Sequence, residues 1–81
     1  MILKENEELA ELVGIYLAAG KIFDDKLVIS VDKGRDNYVN HVYNLIVRIF
    51  GIKPEKLERK FLVDLIISNK DKVREFKRFL Y

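Results

Sequence analysis

The chain has 81 residues, 49% of them hydrophobic and 35% charged, which describes one small globular domain and not a disordered polymer. It has no cysteine and one histidine, His41, so disulfides, thiolate metal sites and histidine-rich metal sites are excluded. The net charge of +2, from 15 basic and 13 acidic residues, implies little about a partner until those charges are placed on a surface.

No uncharged apolar run approaches the ~20 residues of a membrane span. The opening Met1-Ile2-Leu3-Lys4-Glu5 is too short and too acidic nearby for a signal peptide. A cytoplasmic protein with no membrane partner is expected. A core of this size is marginal alone, and oligomerisation is a ready source of extra stability.

Asn6, Glu7 and Glu8 open a first helix, a capping residue followed by acids at the positive end of the dipole. Leu9, Leu12, Val13 and Tyr16 form one apolar stripe at the helical period. Well round from it, Ala10, Gly14 and Ala18 recur at four-residue spacing. Small side chains let a second helix approach closely, because the residues at the contact set the interaxial distance. Ala10 and Ala18 are also good helix formers, but Gly14 costs about 0.8–1 kcal/mol in a helix interior, and close backbone approach is the better reason for it. Leu12 to Gly20 carries no charge, so this helix is expected to have two buried faces. One packs on its own domain. The other packs on a second copy, through Ala10, Val13, Gly14, Leu17 and Ala18.

Gly20 stands where a helix C-terminus favours a residue able to take positive φ. Lys21-Ile22-Phe23, a turn at Asp24-Asp25-Lys26, and Leu27-Val28-Ile29-Ser30-Val31 predict a hairpin. Leu27, Ile29 and Val31 share one face of the second strand; Val28, Ser30 and Asp32 share the other. Lys33 to Asp36 reads as a loop into a second helix. Val39, Val42, Tyr43, Ile46, Ile49 and Phe50 line one side of it, and Asn40, His41, Asn44 and Arg48 the other. Gly51 and Pro54 stop it. Two more strands follow, Lys56 to Arg59 and Leu62 to Ser68. Ser68-Asn69-Lys70-Asp71 then resembles a capping box opening a last helix with Val73, Phe76 and Leu80 on one side. The expected fold class is α+β, in the order αββαββα, with an antiparallel sheet covered by helices on one face.

This order, together with Leu12-Val13-Gly14-Ile15-Tyr16-Leu17-Ala18-Ala19-Gly20, resembles the LAGLIDADG homing-endonuclease family. The nine residues match its signature at the first Leu, the first Gly, the last Ala and the last Gly. Ile49-Phe50-Gly51-Ile52-Lys53-Pro54 is similar to the family's junction after its second helix. The resemblance implies that signature helices of two domains or subunits pack side by side and that two sheets form a saddle over the DNA major groove. It also implies an acid at the end of each signature helix that holds divalent metal. A chain with one signature would supply the second by dimerising. Here Ala19 occupies the metal-binding position and Leu17 the other acidic position of the motif. Two-metal cleavage needs carboxylate oxygens to fix the cations, and a methyl group supplies none. The expected reading is therefore a catalytically inactive, homodimeric DNA-binding domain without a cofactor. Mg²⁺ enters only with a residual nuclease built on displaced acids, of which Asp24 and Asp25 are nearest in sequence.

The outer sheet face is where the resemblance places DNA. That face is expected to carry Lys21, Phe23, Val28, Ser30, Asp32, Leu62, Asp64 and Ile66, with Lys26, Lys33, Arg35, Lys56, Arg59 and Lys60 as a rim for phosphates. It is apolar enough to serve equally as a protein contact, or for self-association, in a module that kept the dimer scaffold. His41 reads as solvent-exposed, and the cations of the last helix as its solvated side.

Overall fold

The computed structural model describes residues 5–80. Residues 1–4, read above as no leader, and residue 81 lie outside the description. The elements are α1 (Glu7–Ala19), β1 (Gly20–Phe23), β2 (Lys26–Asp32), α2 (Asp36–Phe50), β3 (Glu55–Glu58), β4 (Leu62–Ile67) and α3 (Lys70–Lys77). This is the expected αββαββα order in an α+β fold. The four strands form one antiparallel sheet in the order β1-β2-β4-β3. No helix among the described residues is long and apolar enough to cross a membrane.

Each hairpin has a local cause. Asp24 and Asp25 both take positive φ, at 49° and 57°. Two such residues make the two-residue turn whose twist matches that of the strands, and aspartate tolerates the left-handed region better than most side chains. The second hairpin closes through Arg59 N–H donating to the Leu62 carbonyl at 2.8 Å, which extends the β3–β4 ladder beyond its last regular pair.

The core lies between one sheet face and the helices. Ile29, Val31, Leu65 and Ile67 meet Leu9 and Leu12 of α1, Val42, Leu45, Ile46 and Phe50 of α2, and Val73 and Phe76 of α3. Tyr16 and Phe50 each set a ring edge-to-face on Phe76, with centroids 5.7 Å apart, so one aromatic of α3 joins the other two helices. Leu45 belongs to this core although the expected stripe of α2 omitted it; a stripe more than 100° wide takes in a further position on each turn.

Two expected local details are corrected. Gly20 does not cap α1 with positive φ. Its φ is −115° and its ψ 165°, and it begins β1. Glycine is required there for space: a Cβ at Gly20 would lie 2.5 Å from Tyr16 Cδ1 and 3.0 Å from the Tyr16 Cα and carbonyl oxygen. The cap of α3 is Asn69 and not Ser68, with the Asn69 side chain accepting from Lys72 N–H at 3.1 Å. With Lys72 at the third helical position the reciprocal half of a capping box is lost, and Asp71 falls inside the first turn, where it still favours the dipole. By contrast, Asn6 caps α1 as expected, accepting from Leu9 N–H at 2.9 Å. Gly51 ends α2 in the left-handed conformation, φ 70°.

Candidate functional site

Among the described residues, two surfaces are uncovered: the outward side of α1 and the sheet face opposite the helices. On α1, Leu9 and Leu12 are buried, with Val13, Ile15 and Tyr16 packed partly against the core. Ala10, Gly14, Leu17, Ala18 and Ala19 are exposed. Leu17 is 74% exposed, the highest value among the large hydrophobic side chains of the described residues. A Cβ at Gly14 would meet nothing within 4 Å. Nothing inside the subunit therefore calls for glycine at this helical position. Beside the ridge, Glu8 pairs with Arg48 and Glu11 with His41, tying α1 to α2. The ridge itself carries no charged side chain. Toward the start of α1, Asn6, Leu9, Ala10 and Val13 line a groove of about 300 Å³ with Phe79.

The ladder register sets the open sheet face. Lys21, Val28, Ile66 and Glu55 form one row across the four strands; Ser30, Asp64 and Leu57 form the next; Asp32 and Leu62 follow, and Phe23 pairs with Lys26 at the hairpin end. All eight residues expected on this face lie on it. Leu57 and Arg59 join them, because β3 pairs in a register that faces them outward. Sequence alternation within four-residue β3 could not reveal this without knowing its partner. Val28 is buried even on this face.

The centre of the face holds Asp64, the one buried charged residue among those described, 8% exposed. Its Oδ1 accepts from Ser30 Oγ at 2.7 Å and from Arg59 Nη2 at 3.0 Å. The three side chains link β2, β4 and the β3–β4 turn. Among the described residues no buried side-chain polar atom lacks a partner. Ser30 supplies a hydrogen bond and Arg59 a charged partner to the same carboxylate oxygen, as a carboxylate taken from water requires.

The expected rim cations separate into groups. Lys21 lies on the open face with its Nζ 5.3 Å from the Phe23 ring centroid, and Lys26 is on the same face. Lys60 sits in the β3–β4 turn over Phe61, 5.4 Å from the ring centroid. Lys33 reaches across the sheet end, 3.5 Å from Glu58 and 3.4 Å from the Arg59 carbonyl. Asp32, Lys33, Gly34, Lys60, Phe61 and Leu62 line a cleft of about 500 Å³ there. Arg35 instead stacks on Tyr38 at the start of α2, 4.5 Å from the ring centroid. Lys56, expected on the rim, lies on the other side of β3. Strand alternation turns it toward the helices, and its Nζ lies 4.9 Å from the Tyr43 ring centroid.

No group of acidic, histidine or cysteine side chains among the described residues has the arrangement of a metal site. Asp24 and Asp25 sit at the far end of β1 from Ala19, and Asp25 is engaged by Arg74 at 3.3 Å. No protein-family model matches this chain, and no curated protein is significantly similar to it.

Proposed function

We propose that this chain is a non-catalytic, LAGLIDADG-like half-domain that homodimerises through α1 and binds double-stranded DNA across the open faces of two sheets. The observation that carries the reading is the uncharged, solvent-facing ridge of Ala10, Gly14, Leu17 and Ala18, on the helix that leads directly into the sheet. An exposed leucine beside a glycine with empty space above it favours a close helical partner. Two subunits paired there would align two sheet faces beside the junction. Lys21, Lys26 and Lys60 on or beside each face would contact phosphates, and strand side chains would enter the major groove. Ala19 would stand at the junction where the related enzymes need an acid, so the complex would bind without cutting.

A second reading, docking of a protein partner on the same face, is favoured by its charge balance and by its apolar residues. Lys21, Lys26 and Arg59 are offset by Asp32, Glu55 and Asp64, and both Phe23 and Leu57 are exposed.

Fluorescence anisotropy with duplex DNA over a salt series separates the two. Six phosphate contacts per dimer would give a slope of log K against log salt of about −5. The sedimentation coefficient should report a dimer that Ala18→Glu converts to monomer, with duplex affinity falling in parallel. A wild-type monomer, or no duplex binding at low salt, would refute the DNA reading. Mg²⁺ should produce no nicking of supercoiled plasmid.

A further inference from the structure

Arg59 differs from the other cations of the open face in being held by a fixed partner. The ammonium groups of Lys21 and Lys60 lie over the Phe23 and Phe61 rings, and Lys26 is exposed. The Arg59 guanidinium is half-exposed, and it donates through Nη2 to a carboxylate whose own side chain is nearly buried. Asp64 is in turn fixed by the Ser30 hydroxyl donating to the same oxygen from the neighbouring strand. The contact uses one of the five N–H donors of the guanidinium and leaves the rest for a ligand. A guanidinium already oriented loses little entropy when it binds, and its planar fork matches two acceptors side by side. Within duplex DNA the major-groove edge that offers such a pair is guanine, through O6 and N7.

We infer that Arg59 is the base-reading side chain of the open sheet face, recognising guanine in the DNA major groove, with Asp64 and Ser30 as its positioning residues. The inference rests on the duplex-binding reading above and adds to it which residue supplies sequence preference. Lys21, Lys26 and Lys60 then supply affinity without preference, because phosphate contacts position a duplex but carry no sequence information directly.

The test is equilibrium selection of a randomised duplex library by the full chain, followed by sequencing of the retained DNA. Wild-type protein should enrich guanine at one position in each half-site. Arg59→Lys keeps the charge and loses the fork, so it should still retain DNA while its guanine preference falls roughly ten- to a hundredfold. Asp64→Asn should weaken the same preference at the same position, with an unchanged circular dichroism spectrum. Lys26→Ala should lower retention of all sequences alike and leave the preference intact. Arg59→Lys with the wild-type preference, or wild-type retention without guanine enrichment, would overturn the assignment. Wild-type protein that retains no duplex at low salt would overturn the duplex-binding reading and this assignment with it, a result distinct from binding without preference.

Discussion

At the residue scale, glycine carries different meanings at different positions. Gly51 needs its left-handed φ; Gly20 needs the volume that a Cβ would take from Tyr16; Gly14 needs neither inside the subunit. The sequence signal for Gly51 was complete, since an apolar stripe, a glycine and a proline three residues later leave little else to happen. At Gly20 the stripe and the glycine stand without a proline and mislead, because the residue after α1 is also the first of β1, and strand geometry then replaces the cap. Gly20→Ala should therefore destabilise the fold by about 1–3 kcal/mol, the usual cost of forcing atoms into an occupied site. Its crowding involves the Tyr16 backbone as well as the ring, so moving the ring alone cannot relieve it. Urea denaturation of Gly20→Ala against wild type measures this loss, and an unchanged midpoint would contradict it. The Asp64 cluster was hidden from sequence for another reason. Ser30, Arg59 and Asp64 were each visible as polar residues near one face, but their meeting depends on cross-strand register, which is a tertiary property.

At the element scale, helix and strand identities were legible because β2 and β4 are short apolar runs rich in β-branched residues, and α2 carries a clean 3.6-residue stripe. Boundaries were less so. Ser68 and Asn69 are both good capping residues and stand side by side, and composition alone does not choose between them. The choice falls to β4, which ends at Ile67 and leaves Ser68 as a connector. Asn69 N-caps α3, a helix of eight residues that depends on its cap and its packed face because short helices are marginal alone. Asn69→Ala should cost about 1 kcal/mol, and Ser68→Ala a few tenths at most. Thermal unfolding of the two variants side by side tests the assignment, and a larger loss at Ser68 would place the cap where the sequence pattern first suggested. Lys56 illustrates the same limit on a strand. A one-residue difference in register turns a side chain from one sheet face to the other, and a strand of four polar and apolar residues in mixed order does not declare its register.

At the scale of the whole molecule, α1 has one side that the described residues leave uncovered. Its inner stripe is satisfied by the core, and its polar flanks by ion pairs to α2. What is left is an apolar ridge with a glycine at its middle. A helix-interior glycine exposed to water is a standing cost, so alanine at Gly14 should stabilise an isolated subunit by about 0.8–1 kcal/mol, with no atom nearby to oppose the added methyl. If two α1 helices cross at Gly14, the same methyl stands between two backbones and should weaken their association. Gly14→Ala is thus expected to have effects of opposite sign: a higher unfolding midpoint at concentrations where subunits are separate, and a larger dimer dissociation constant by sedimentation equilibrium. The concentration dependence of the melting temperature joins the two measurements, because association stabilises the folded subunit by mass action. A Gly14→Ala protein that is more stable and dimerises as tightly as wild type would move the interface away from the ridge. A variant less stable even when monomeric would mean that Gly14 serves the subunit's own packing, and the open space above it would lose its significance.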